Sequence, residues 1–175
     1  MATLQDFVPA QSDAWALVKT ELRRFYVGLS PESRRTRFLA VSNGLSEAQS
    51  ASFCTPDHDH RAGFVAVADE TRLGTERIVG HLCLEPGGAD AAEVAIAVAD
   101  AFQRRGIGRK LMAGGVAWAK RERITRFTAT MSAGNAPIHR LLVGLGLPAR
   151  MRSTGAGVAE ITIDVFAQCA ADPAL

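Results

Sequence analysis

Cysteine is scarce in this chain, and so are aromatic residues. Only Cys54, Cys83 and Cys169 occur among 175 residues, with no C-x-x-C pair, and Tyr26 is the single tyrosine. Three scattered cysteines leave one over from any pairing, which argues against a disulfide framework and for reduced thiols in a cytoplasmic protein. No apolar run approaches the ~18 residues of a membrane span. The opening MATLQDFVPAQ has neither the basic nor the apolar region of a secretory leader. A soluble, intracellular chain that does not engage a membrane is expected. The net charge of +2 is too small to argue for a nucleic-acid partner. Repeats, low-complexity tracts and linkers are also missing, so residues 1–175 are read as one domain. At 47% apolar and 22% charged residues, the composition is that of a globular domain large enough to bury its own core.

What is present centres on Ala92 to Lys120. Glu93 to Val98 reads as a buried-type strand with one carboxylate near its start. Asp100 and Phe102 lead into QRRGIG, Gln103 to Gly108, and a helix follows with an apolar face at Ile107, Leu111, Ala113, Val116 and Trp118. A glycine-rich turn opening a helix suits a phosphate, because first-turn N–H groups lack acceptors and the helix dipole adds positive charge. Two familiar phosphate loops are excluded. Leu111 stands where the dinucleotide fingerprint needs its third glycine and where the nucleoside-triphosphate loop needs its second.

The rest of the chain can be read in order. Leu4 to Val8 suggests a first strand, and Ser12 or Asp13 caps a helix running to about Gly28. Ser30, Pro31 and Glu32 mark the start of a second helix, whose Arg34, Arg35 and Arg37 read as a solvated basic face. The sharper alternative is a face that meets an acidic substrate or the phosphates of a coenzyme. Ser46 and Gln49 form a capping box for a short third helix. Asp57, His58, Asp59 and His60 are dense enough to suggest a metal, but adjacent loop residues rarely converge on one ion. They read as a polar turn, and no metal is expected. Arg61 to Asp69 and Arg77 to Glu85 are strands, the second turned back by Pro86-Gly87-Gly88. His81, mid-strand, reads as a core histidine with a backbone partner. Ile124 to Met131 is a further strand, and Asn135 caps a helix with Ile138, Leu141, Leu142 and Leu145 on its buried face. Val158 to Val165 closes the chain's regular structure. Three antiparallel strands, a helix and another strand predict a mixed α/β sheet rather than a doubly wound one.

Two motifs carry a resemblance. Gln103, Gly106 and Gly108 fit Q/R-x-x-G-x-G/A, and Asn135, Leu141 and Gly146 fit N-x-x-A-x-x-L-Y-x-x-x-G-F, with Ile138 at the alanine position and Leu147 at the phenylalanine position. Their order and spacing resemble those of the GNAT superfamily of N-acetyltransferases. GLSPESRRTRF and the acidic-histidine turn before a strand look like the catalytic domains of bacterial Pat-type protein lysine acetyltransferases. The resemblance implies the GNAT fold: a mostly antiparallel sheet of six or seven strands, flanked by helices and splayed between the fourth and fifth. It implies acetyl-CoA in the opening, its pantetheine arm pairing with the backbone of Ile96, Ala97 and Val98. Gln103 belongs to the same loop, and the pyrophosphate would rest on the N–H groups of Arg104, Arg105, Gly106, Ile107, Gly108 and Arg109. Asn135 would contact the pantetheine or brace the cleft.

The implied reaction is transfer of acetyl from acetyl-CoA to a primary amine. The leading acceptor is a protein lysine, with a small-molecule amine or a non-catalytic acetyl-CoA sensor as alternatives. Homodimers occur in the superfamily. Glu93 lies ten residues before Gln103, where the Pat-type pattern carries its catalytic glutamate, and is the expected general base. Its place at the start of an apolar strand suggests partial burial and a raised pKa. The plainer reading of Glu93 is a strand-end carboxylate paired with a surface arginine. Leu142 occupies the position where many members have a tyrosine acid, and His139 is the substitute one turn earlier.

Overall fold

Strands β1 (Ala2–Asp6), β2 (Ala62–Glu70), β3 (Thr75–Gly88), β4 (Ala91–Val98), β5 (Arg126–Ser132), β6 (Ala149–Gly155) and β7 (Val158–Asp164) form one sheet. They are seen in a computed structural model that describes residues 2–6, 12–54, 61–70 and 75–167. The order is β1-β2-β3-β4-β5-β7-β6, antiparallel at every pairing but one. The exception is β4 with β5, which are parallel. Parallel neighbours need a crossover, and α4 (Ile107–Arg121) supplies it. Helices α1 (Ser12–Gly28), α2 (Pro31–Phe38) and α3 (Glu47–Cys54) cover one face of the sheet, while α4 and α5 (Ala136–Gly144) cover the other.

Strand alternation divides the core in two. Phe64, Leu82, Leu84, Val94, Phe127 and Ile161 point towards α4 and α5 and meet Ile107, Leu111, Trp118 and Leu142. Val65 and Val67 point the other way and meet Leu22, Phe25, Tyr26 and Cys54. Contact between α4 and β3 is close at Gly80, where a Cβ would stand 2.9 Å from Leu111 Cδ1 and 3.0 Å from Ile107 Cγ2. The buried stripe of α4 runs through Ile107, Leu111, Met112, Gly115, Trp118 and Ala119. Ala113, expected on that stripe, is exposed, because the helix turns Met112 and Ala119 to the sheet instead.

The caps form as their residues suggest. Ser30 Oγ accepts from Ser33 N at 3.1 Å, and Asn135 Oδ1 accepts from Ile138 N at 3.3 Å. Ser46 and Gln49 exchange both capping-box bonds, at 2.9 and 3.2 Å. One expectation needs correction, and one strand forms where the sequence showed none. Pro86-Gly87-Gly88 does not end β3; the strand continues to Gly88, with a register shift between Pro86 and Gly88. Pro86 has no N–H to lose there, and a bulge absorbs the mismatch. Residues 149–155, which carry no strand pattern, form β6 on the sheet's edge. The Asp57 to His60 cluster lies outside the described residues. Among the described residues no group of three or more His, Cys, Asp or Glu is placed to hold a metal ion, and no helix is long and apolar enough to cross a membrane.

The parallel pairing is short, and that shapes everything at the site. It covers only Ala91 to Glu93 against Arg126 to Thr128, after which the strands separate. Asp90 fixes the closed end. Its carboxylate accepts from Thr125 Oγ1 at 2.8 Å and from Arg126 Nη2 at 2.6 Å, and its carbonyl from Thr125 N at 2.8 Å.

Candidate active site

Beyond Glu93 the β4 edge that faces β5 has no strand partner among the described residues. Ala99 N donates to Val79 O at 2.9 Å, so odd-numbered main-chain groups of β4 turn to β3. Those of Val94, Ile96 and Val98 therefore face the opening. Ala97, expected to pair there with Ile96 and Val98, turns its main chain to His81 of β3 instead. One wall of the opening is apolar. A Cβ built on Gly108 would lie 3.8 Å from Leu141 Cδ2 and 3.9 Å from Ile96 Cδ1 and Val98 Cγ2.

At the far end of β4 the chain makes one 3-10 turn, Asp100–Phe102, and enters the glycine loop. Gln103 Nε2 folds back onto Val98 O at 3.1 Å. Arg104 (φ 59°) and Gly106 (φ 82°) are both left-handed. Left-handed residues among extended and right-handed ones gather successive N–H groups into a concave anion cradle. Gly106 is also the N-cap of α4, with no side-chain cap and no acid in the first turn. The first helical bond runs from Lys110 N to Gly106 O, so the N–H groups of Ile107, Gly108 and Arg109 precede the ladder. Arg104, Arg105 and Arg109 are exposed around them, while the Ile107 side chain is buried in the core and offers the loop only its backbone. Donors without acids and flanking cations suit a pyrophosphate.

Glu93 occupies the last paired rung, opposite Glu85 of β3 and Thr128 of β5. Alternation puts its side chain on the face covered by α1, α2 and α3. The expected partial burial is not found: Glu93 is exposed between buried Ala92 and Val94. Neither is the arginine partner of the plainer reading among its described bonds, for it is the neighbouring Glu85 that bonds Arg61.

The next rungs on that face carry Cys83 beside Ala95 and His81 beside Ala97. Arg37 of α2 reaches over them. Its Nη2 donates to Cys83 Sγ at 3.4 Å, and its guanidinium lies 5.1 to 6.0 Å from the ring centres of Phe38, Phe53 and Tyr26. Burial raises the Cys83 thiol pKa in spite of the nearby charge. Burial opposes the Arg37 charge, yet Tyr26 and Cys83 hold its pKa above the ordinary value. The basic face expected of α2 is therefore not solvated as a whole. Arg34 also turns inward, donating to Val27 O and Leu29 O at 2.7 Å each, and Arg35 remains exposed.

His81 is fully buried and bonds the Tyr26 hydroxyl through Nδ1 at 2.9 Å, in place of the backbone partner expected. The Arg37 guanidinium stands 6.0 Å from the Tyr26 ring centre, and its charge only partly offsets the desolvation of the hydroxyl. Desolvation drives the His81 pKa down to about 3 and the Tyr26 pKa up to about 12. A neutral histidine and a committed tyrosine are structural here; Tyr26 is no source of a proton for a leaving group. Leu142 is buried in the core at 2% exposure, and His139 is exposed on α5. Asn135 lines a pocket of about 310 Å³ with Met131, His139, Arg140 and Met151, residues of β5, α5 and β6 but none of β4. Its side-chain oxygen serves as the cap of α5. Arg37 belonged to the basic face read from the sequence, but its place over Cys83 was not foreseen, and the role of Asp100 was missed, its only signal being its position at the turn before the glycine loop.

The model of the acetyltransferase (GNAT) family matches residues 16–146. The GNAT domain of S. lividans PAT superposes with a TM-score of 0.75 at 27% identity, over 93% of this chain and 90% of that one. YncA, a putative acetyltransferase from Salmonella typhimurium whose structure contains acetyl-CoA, has a TM-score of 0.65 at 15% identity, over 99% and 96%. A cAMP-binding acyltransferase from Mycobacterium smegmatis has a TM-score of 0.53 at 21% identity, over 99% of this chain and 46% of that one. No curated protein sequence matches at a significant level.

Proposed function

The chain belongs to the GNAT acetyltransferase family, and from that premise we propose that it acetylates the side-chain amine of a protein lysine, with Glu93 as general base. The family is one of acetyl-CoA-dependent N-acetyltransferases, so the cosubstrate and reaction class follow from membership. The observation that carries the finer reading is the position of Glu93 on the last rung before β4 and β5 part. A coenzyme whose pyrophosphate rests on the loop of Arg104, Arg105, Gly106, Ile107, Gly108 and Arg109 runs its pantetheine arm back along the free edge of β4. Ile96 and Val98 offer that arm main-chain partners, and Glu93 to Val98 spans roughly 16 Å of strand. The thioester is thereby delivered towards Glu93.

A lysine ammonium has a free pKa of about 10.4, so about one in a thousand is neutral near pH 7.4, a cost of roughly 4 kcal/mol. Glu93 takes that proton, directly or through one water, and the amine attacks the thioester carbonyl. The C–S bond then breaks. With Leu142 buried and Tyr26 committed, the departing thiolate takes its proton from water, which a pKa of about 8.5 allows.

Protein acceptors are supported by the 27% identity to the S. lividans PAT domain across nearly the whole chain, together with the Pat-type pattern of the sequence. The exposure of Glu93 also suits a lysine presented from outside. The test is to incubate the protein with acetyl-CoA and either lysate proteins or a metabolite pool, and to read the products by mass spectrometry. New acetyl-lysine in proteins is expected. Acetylated metabolites with unmodified protein would overturn the acceptor class.

A further inference from the structure

We infer that Asp100 is a positioning residue that ties α2, on the acceptor side, to the coenzyme loop, so that seating acetyl-CoA orders the wall of the acceptor site; this rests on the function proposed above. Helix α2 is eight residues long and buries none of them fully. A helix that short is not stable by itself, and its apolar contacts are few, so its polar attachments decide where it sits. At its C-terminal end the attachment is Arg37 on Cys83. At its N-terminal end it is Asp100, seventy residues away in sequence.

Asp100 Oδ2 accepts from Ser30 N at 2.9 Å, and Oδ1 accepts from Ser30 Oγ at 2.8 Å and Ser33 Oγ at 2.7 Å. A carboxylate at a helix N-terminus is also favoured by the dipole. Partial desolvation works against its charge, yet the bonds from Ser30 and Ser33 hold the Asp100 carboxyl below its usual range. Gln103 extends the connection, since its Nε2 donates both to Ser33 Oγ at 3.3 Å and to Val98 O at 3.1 Å. One end of this network is therefore the strand edge and loop assigned to the coenzyme. The other is the first turn of a helix that packs on β4 and carries Arg37 to the rung beside Glu93. Whatever restrains Val98, Asp100 and Gln103 restrains α2 as well.

Hydrogen exchange read by mass spectrometry, with and without acetyl-CoA, tests this in the parent, Ser33→Ala and Asp100→Ala proteins. In the parent, acetyl-CoA is expected to slow exchange in residues 94–110 and also in α2. In both variants 94–110 still slows, but α2 gains no protection. Kinetics with a lysine acceptor should show KM raised about tenfold, as the loss of a charge-assisted hydrogen bond implies, with acetyl-CoA affinity within about threefold of the parent. Asp100→Asn, which keeps an acceptor for Ser30 N, should recover part of the KM. Ser33→Ala leaves the N-cap intact and keeps the test open if Asp100→Ala does not fold. Equal protection of α2 in parent and variants, or an unchanged acceptor KM, would overturn the coupling. Absence of protection at 94–110 in the parent would strike the coenzyme site itself.

Discussion

Substituting Gly106 separates the two duties a glycine can have at the loop, which are to permit a backbone conformation and to leave room for a ligand. Its φ of 82° is left-handed, and a Cβ built there meets no protein atom within 4 Å. Steric conflict inside the protein is thus excluded, and Gly106→Ala should cost only the backbone strain of a left-handed alanine, about 1 to 2 kcal/mol. For a domain of this size that is a fall in Tm of roughly 2 to 8 °C. Asparagine tolerates the left-handed region, so Gly106→Asn should recover most of that stability. Its Cβ is nonetheless in the same place as that of alanine, on the surface assigned to the pyrophosphate. Both variants should therefore bind acetyl-CoA at least about tenfold more weakly, a loss of about 1.4 kcal/mol. Gly144→Ala, at the end of α5 and outside the loop, is the control: a Cβ there meets no protein atom within 4 Å and the backbone is not left-handed, so stability and affinity should both stay near those of the parent. Calorimetric titration with acetyl-CoA and thermal melts of the four proteins decide the matter. If Gly106→Asn binds acetyl-CoA as the parent does, the glycine serves the backbone alone and the pyrophosphate is not seated there.

Stability should also depend on His81 below neutral pH. Its folded pKa of about 3 lies below the ordinary 6.5, so between those values the unfolded chain takes up a proton that the native protein refuses. This contribution is complete above pH 6.5 and lost on acidification at about 1.4 kcal/mol per unit, roughly 2 kcal/mol by pH 5. Urea unfolding of the parent and of His81→Asn should show the gap between them narrowing by that amount from pH 7.5 to 5, and a constant gap would contradict a buried neutral ring. Leu111→Ala, which removes a fully buried side chain where α4 presses on β3, should cost about 2 to 5 kcal/mol in the same assay; a loss below 1 kcal/mol would mean that α4 is not held there.

Most elements could be read from the chain because their signals are local. Ser30-Pro31, the Ser46 and Gln49 box, and Asn135 each mark a helix start through bonds spanning three residues. Strand β6 left no trace, since an exposed edge strand needs no apolar alternation, and ARMRSTG is exposed at every position. Pro86 suggested a turn because the bulge that accommodates it depends on a partner strand. The same division holds at the site. The loop from Gln103 to Gly108 is contiguous and was legible, whereas Arg37 over Cys83 and Asp100 at Ser30 join positions 46 and 70 residues apart. Glu93 was found by resemblance, but its burial was misjudged. An apolar neighbourhood in sequence does not bury a strand residue when its face of the sheet opens at that rung.

Replacing Glu93 by glutamine, with acetyl-CoA binding and acetyl transfer measured on the same preparation, tests the central claim most directly. The amide keeps the shape of the carboxylate and cannot take the proton. Acetyl-CoA affinity should match that of the parent while transfer to lysine falls at least ~100-fold. Transfer at the parent rate, with binding intact, would contradict Glu93 as the base.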